Sequence, residues 1–465
     1  MTRPGTPDRP LRVAVVGSGP AGFYTVQHLF QDKELAVRVD MFDRLPTPFG
    51  LVRAGVAPDH PKIKSVTAVY HKLAGRPEFR FFGNVEYGRD VTLEDLRTLY
   101  DHVVFCTGAQ TDRRLGIPGE DLAGSHPATE FVAWYNGHPD FADLHFDLEQ
   151  ESAVVVGVGN VAVDVARILC RTPDELARTD IADHALEALR HSRVRTVHLL
   201  GRRGPAQAAF TNPEVKELGE LAGTETSTLA KEVELDPVSR AAVERSADKA
   251  TWRKLEILQG LVDRRQPERA RRLILRFLVS PVEILGDDSG RVRAVRLVRN
   301  ELVCGGGGGG GIRAVPTGHH EEIPAGLVFR SVGYRGIRLP GLPFRDDWGT
   351  LPNDAGRILE APGGKPLPGL YAAGWIKRGP TGVIGTNKPD ALETVRSMIA
   401  DLPSTGTARP GADAIEELLR TRGVRWVSYE DWERIDAVEV SRGSKQQRPR
   451  IKLVRHADFM RVLAD

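Results

Sequence analysis

Leu11–Leu29 reads LRVAVVGSGPAGFYTVQHL. An apolar run, Val13–Val16, meets Gly17, Gly19 and Gly22, and Phe23, Val26, Leu29 and Phe30 follow at helical spacing. The pattern predicts a strand, a tight turn and a helix. The first glycine permits the turn, the second lets backbone approach a pyrophosphate, and the third brings the helix close to the strand. The helix N-terminus then offers free N–H groups and a positive dipole end. An acid about 20 residues on is expected to bind ribose hydroxyls. Asp43 stands there, at the end of a second apolar run, Val37–Phe42. A glycine turn with no ligand would leave Asp43 without a purpose. The stretch therefore predicts a dinucleotide site.

The same logic returns 140 residues further on, in AVVVGVGNVAVDVARIL at 153–169. Gly157 and Gly159 form the turn, and Ala162 stands where the third glycine or an alanine is expected. Two such motifs imply two dinucleotides. Asp164 near the start of the second helix also fits ordinary charge complementarity to the helix dipole. The next strand, Thr196–Leu200, ends in Gly201-Arg202-Arg203-Gly204. An acid here would bind a bare ribose, whereas paired arginines suit a 2′-phosphate. The second nucleotide is thus expected to be NADP.

Between the motifs, residues 44–64 are rich in proline and glycine, with His60 between Asp59 and Pro61. Long ordered loops of this kind carry function, although a lone loop histidine is usually a packing residue. Ile63–Leu73 is expected to be helical, Phe79–Val85 a strand, Leu93–Tyr100 a helix and His102–Phe105 a buried strand. That order argues for a parallel, doubly wound α/β sheet. Residues 213–256 read as charged helix, while 273–284 and 292–303 alternate like paired strands. Gly305–Gly311 reads as a low-complexity loop without chemistry. In LYAAGWIKRGPTGVIGTN, 370–387, a strand ends at Gly374, then Trp375 and a glycine-rich turn lead into a helix.

The chain has 465 residues, too many for one core, so at least two domains are expected. Hydrophobic residues make up 41% and charged residues 27%, the balance of a globular protein. A formal net charge of +2 gives no global field for nucleic acid. No apolar run approaches about 18 residues, so no membrane span is expected. The first residues lack the apolar core of a signal peptide, which makes a cytoplasmic location the expectation. Cys106, Cys170 and Cys304 are far apart and form no CxxC, which argues against a dithiol centre or a cysteine-held metal.

Taken together, the chain resembles the adrenodoxin reductase family of NADPH–ferredoxin reductases, especially its stand-alone bacterial members. The carriers are GSGPAG at 17–22, PTPFGLVRAGVAPDHPKIK at 46–64, GVGNVAVDVARIL at 157–169 and GRRGPAQAAFTNPEVKEL at 201–218. RFLVSP at 276–281, SVGYRG at 331–336 and GWIKRGPTGVIGTNK at 374–388 complete the match over nearly the whole length. Other two-dinucleotide flavoproteins share the glycine turns but not the DHPK loop or the Trp375 segment.

The resemblance implies an α/β fold with two Rossmann-like, doubly wound domains. Residues 1–112 and 334–465 would bind FAD, and 113–333 would bind NADP. FAD contacts would involve Gly17, Gly19, Ala21, Gly22, Asp43, Leu51, Val85, Trp375, Gly382, Val383 and Ile384. NADP contacts would involve Gly157, Gly159, Asn160, Val161, Ala162, Arg202, Arg203, Glu214 and Gly382. It implies catalytic or flavin-facing roles for His60, Glu217, Asp164 and Trp375. The family usually has Glu where Asp43 stands, so a shorter side chain must make the ribose contact. The implied reaction is hydride transfer from NADPH to FAD, then single electrons to an acidic iron–sulfur ferredoxin. No metal site is expected in the chain itself. A non-catalytic flavin- and NADP-binding sensor or subunit is the rival reading. Amidotransferase-linked and enoyl-type flavin reductases would carry iron–sulfur cysteines that this chain lacks. A ferredoxin-docking face is sought in Arg253, Lys254, Arg264, Arg265, Arg269, Arg271 and Arg272.

Overall fold

The strand Leu11–Val16 is apolar throughout because both its faces are covered. Leu11, Val13 and Val15 join one cluster of buried side chains, and Ala14 and Val16 join another. The computed structural model describes residues 3–266, 268–305, 311–402 and 409–464. Most of the glycine run expected as a loop, residues 306–310, lies outside them. The chain divides into two compact units, one of residues 1–56, 60–111 and 333–465, the other of 57–59 and 112–332.

In the first unit, the described residues form a seven-stranded sheet. Its parallel part runs in the order Phe79–Gly83, Val37–Asp43, Leu11–Val16, His102–Phe105, Pro366–Ala372. This is the doubly wound order that reverses at the first strand, where a crevice opens at the strand C-termini. Two short antiparallel strands, Asn353–Asp354 and Arg357–Leu359, extend the edge. The helices Pro20–Gln31 and Asn387–Ala400 belong to this unit.

The second unit holds a six-stranded parallel sheet in the order Ser125–Pro127, Leu327–Arg330, Ser152–Val156, Thr196–Leu200, Arg271–Arg276, Thr224–Thr228. A separate antiparallel sheet is built from Val279–Gly286, Val292–Cys304 and Ile312–Pro324.

Three local readings are corrected. The stretch 213–256 is not all helix: Thr224–Thr228 is an edge strand, and the helices Asn212–Gly219, Ala230–Val233, Pro237–Ser246 and Lys249–Gln259 surround it. The run 273–284 is not one strand. Leu278, at φ 57°, breaks it, so that Arg271–Arg276 joins the parallel sheet and Val279–Gly286 the antiparallel one. The helix expected from Ile63 begins instead at Pro61, whose fixed φ suits a first turn, and is interrupted at Ser65-Val66 before Thr67–Ala74.

Candidate functional site in two nucleotide-binding turns

Gly17 has φ 108°, and a Cβ there would press on the Cys106 carbonyl. A Cβ at Gly22 would run into the Gly17 carbonyl oxygen, so the helix could not sit this close to the strand. At Gly19 the case is opposite, for a built Cβ meets nothing within 4 Å. The helix Pro20–Gln31 starts there with no side-chain cap and no acid in its first turn. Open space beside uncapped N–H groups fits an anion such as a pyrophosphate. In the second unit Gly159 is equally open, and the helix Asn160–Cys170 starts uncapped with no acid in its first turn. Both turns thus fit a dinucleotide.

Asp43 ends its strand with the carboxylate folded onto the glycine turn. Its Oδ2 accepts from Ser18 N–H at 3.0 Å and Ser18 Oγ–H at 2.5 Å, and its Oδ1 from Leu45 N–H at 2.9 Å. Leu51 is exposed in the short helix Leu51–Ala54. That helix is tied down by Arg53, which forks onto Glu439 at 2.6 and 2.8 Å, with Glu439 fully buried. Val85 is 1% exposed, so it presents almost no surface to a ligand, and its N–H donates to the Asp43 carbonyl at 2.9 Å. It serves as a support for Asp43.

Trp375 opens the short helix Trp375–Arg378 and is half-buried. Its Nε1–H donates to the Thr381 carbonyl at 3.1 Å, and its ring lies 5.3 Å from that of Tyr334. Asp390 Oδ2 accepts from the Gly374 N–H at 2.5 Å, which fixes the turn before Trp375. Gly382 and Val383 are exposed and Ile384 is half-buried in the following turn. His60 is half-buried at the N-terminus of the helix Pro61–Lys64.

In the second unit, Arg202 is exposed and Arg203 half-buried at the end of Thr196–Leu200, and neither is ion-paired among the described residues. Burial, with the charge of Arg202, pushes the Arg203 guanidinium below its ordinary value. A phosphate between them would relieve that repulsion, so this donor set fits a 2′-phosphate. Asn160 Oδ1 accepts from Thr211 N–H at 3.0 Å, joining the glycine turn to the next helix, Asn212–Gly219. Val161 is half-buried and Ala162 fully buried in the helix's first turn.

Sequence reasoning passed over Arg167, which is fully buried. Its Nε and Nη2 fork onto Asp59 at 2.7 and 3.0 Å, its Nη2 reaches Asp164 at 2.7 Å, and its Nη1 reaches Glu214 at 3.2 Å. Glu217, 41% exposed at its side chain, stands 4.0 Å from Nη1. Arg171 adds a contact to Asp59 at 2.6 Å. Burial opposes the Arg167 charge, but Asp164, Asp59 and Glu214 outweigh it and hold the pKa above the ordinary value. Breaking such a buried pair typically costs about 3–5 kcal/mol. The only sequence signal was an arginine amid Val165, Ala166, Ile168 and Leu169, on a helix otherwise apolar at that level.

The basic cluster is less open than expected. Lys254 turns inward, donating to the Ala208 carbonyl at 2.5 Å over the Phe210 ring. Arg264 donates to the Gly219 carbonyl at 2.8 Å, and Arg269 and Arg271 are half-buried. Arg253, Arg265 and Arg272 are exposed, with Arg253 paired to Glu256 and Arg272 to Glu225. Among the described residues, no helix is long and apolar enough to cross a membrane.

A family model described as pyridine nucleotide-disulphide oxidoreductase matches residues 11–199. NADPH-ferredoxin reductase FprA of Mycobacterium tuberculosis is 47% identical over 471 residues, spanning 98% of this chain and 99% of that protein. Human mitochondrial NADPH:adrenodoxin oxidoreductase is 44% identical over 474 residues, 98% of this chain and 93% of its own. The chain belongs to the adrenodoxin reductase family. A solved structure of Mycobacterium tuberculosis FprA in complex with NADPH superposes with a TM-score of 0.92, covering 98% of this chain and all of that one at 47% identity. Membership in the adrenodoxin reductase family makes the chain an oxidoreductase that works with FAD and NADP.

Proposed function

We propose that this chain is an NADPH–ferredoxin reductase, with the turn at 17–22 holding FAD and the turn at 157–162 holding NADP. The unpaired Arg202-Arg203 at the end of Thr196–Leu200 carries the choice of NADP for the second turn. FAD held at the first turn would supply the acceptor for a hydride from NADPH and the donor of single electrons, chemistry that belongs to the cofactors. The protein's own residues bind and orient. Uncapped helix N-termini receive the two pyrophosphates. Asp43, braced by Ser18 and Leu45, presents its carboxylate to a ribose. Trp375, held by Thr381 and Tyr334, would cover the flavin, and Gly382, Val383 and Ile384 would help to hold it. In this reading His60 and Glu217 orient the nicotinamide or relay a proton, Asp164 is a further catalytic residue and Glu214 contacts NADP. The electron acceptor is an iron–sulfur protein of the ferredoxin type, acidic on the face it docks, and the setting is cytoplasmic.

The test is direct. The purified chain is expected to carry FAD, and NADPH to bleach it far faster than NADH. His60→Gln and Glu217→Ala retain FAD but slow that bleaching. A chain that binds FAD and NADP but whose flavin NADPH does not reduce would be a sensor or subunit. A colourless protein that cannot be reconstituted with FAD would overturn both.

A further inference from the structure

Replacing a buried ion cluster by apolar side chains is often neutral or stabilising. A fully buried guanidinium gripping three carboxylates is therefore poorly explained by stability alone. Those carboxylates come from three separate segments: Asp59 from residues 57–59, Asp164 from the helix Asn160–Cys170, and Glu214 from the helix Asn212–Gly219. Asp164 lies just past the first turn of the helix that follows the glycine turn, and Glu214 lies in the first turn of its own helix. Asp59 is the chain neighbour of His60. Glu217 stands at the edge of the same guanidinium.

We propose that Arg167 is a positioning residue for the nicotinamide end of the NADP site. It fixes Asp164 and Glu214 relative to one another and, through Asp59, the backbone leading to His60. The inference rests on the reading that these residues serve the nicotinamide. Arg167 holds Asp59, Asp164 and Glu214, with Glu217 at its edge, and Arg171 adds a contact to Asp59. A nicotinamide ring becomes positively charged when its hydride leaves. Carboxylates already fixed in place favour that charge without reorganising as it develops. The rigid fork of Arg167 supplies the fixing. A lysine would supply the charge without the geometry.

The test uses Arg167→Lys in the FAD-loaded protein, with binding measured beside rate. The 2′,5′-ADP molecule carries the 2′-phosphate but no nicotinamide. Its affinity is expected to match the parent, because Arg202 and Arg203 are untouched. NADP+ affinity is expected to change relative to 2′,5′-ADP, and single-turnover flavin reduction to slow about tenfold to a hundredfold, the size of a misplacement effect. Asp59→Asn leaves Arg167 in place, guards against a lysine variant that does not fold, and is expected to move the same ratio in the same direction. Parental rate and parental NADP+ affinity in both variants would overturn the proposal. So would equal losses of NADP+ and 2′,5′-ADP affinity, which would mark a purely structural role. Asp164→Asn and Glu217→Ala separate the two readings. If neither alters flavin reduction, the assignment of this site falls. If they slow it and the Arg167 and Asp59 variants do not, only the role of Arg167 falls.

Discussion

Ser18 donates both its N–H and its Oγ–H to a single oxygen of Asp43, at 3.0 and 2.5 Å. Ser18 is the residue between the first two glycines of the turn, so Asp43 holds the turn. A carboxylate drawn back toward its own strand thus grips the glycine turn.

Asp43→Ala removes both Ser18 contacts and, on the function proposed above, the ribose acceptor with them. Hydrogen bonds to charged groups contribute about 1.5–3 kcal/mol each, so FAD affinity is expected to fall by about a hundredfold or more. FAD bound per chain, read from flavin absorbance after gel filtration, measures this. Ser18→Ala leaves the ribose acceptor and is expected to show a smaller loss. Equal losses would mean that Asp43 acts on the turn alone.

Arg202→Ala with Arg203→Ala should weaken NADPH by orders of magnitude, at about 1.5–3 kcal/mol for each charged contact and tenfold per 1.4 kcal/mol. NADH, without the 2′-phosphate, should be nearly unaffected. Steady-state kcat/KM for the two nucleotides decides it, and parallel losses would show that the pair reads something else.

Acid should loosen both units before their carboxylates titrate. Burial pushes His102 down to about 4, and pushes His126 and His198 down to about 4 as well, the last two helped by nearby arginines. Each folded-state value lies below the ordinary 6.5, so the folded state binds fewer protons than the unfolded chain. Their contribution is complete above pH 6.5 and is lost as pH falls toward 4. Thermal midpoints measured from pH 7 to 4.5 should fall across that window. His102→Gln should flatten the fall for FAD release from the first unit.

Ferredoxin-dependent turnover should fall with salt more steeply than reduction of a small neutral acceptor, because rim charges act chiefly on association and are screened. With Lys254 and Arg264 committed to backbone carbonyls, charge reversal belongs at Arg253, Arg265 and Arg272. The triple reversal should raise the KM for ferredoxin and leave NADPH oxidation by the small acceptor unchanged. An unmoved KM would place the docking face elsewhere.

The two glycine turns were legible because a strand, a tight turn and a helix are written into one short stretch of chain. Arg167 was not, because its meaning lies in Asp59 and Glu214, far from it in sequence and brought to it by folding. Thr224–Thr228, TETST, was read as helix because its polar residues show no apolar alternation. It is nevertheless a strand whose Thr224, Thr226 and Thr228 hydroxyls are buried and donate to backbone carbonyls. Leu278 adopts a left-handed backbone that a leucine does not announce, so the passage from one sheet to the other was invisible. Val85, expected from its motif to contact FAD, is buried, and burial of this kind is not written in a motif position.

The strand Pro366–Ala372 pairs with His102–Phe105, so the sheet of the first unit is interrupted in the chain by residues 112–332 of the second. On a ribosome, the second unit's long segment 112–332 is complete while the first still lacks its partner strand. At roughly 5–20 residues per second, the stretch from Phe105 to Ala372 takes about 13–50 s to make. Through that interval the edge of His102–Phe105 stands open, and Gly374–Asn387 has not yet been synthesised. Completion of the first unit's sheet is accordingly a late event in the life of the nascent chain, and the free edge is the place where a chaperone, or another unfinished copy, would first find it.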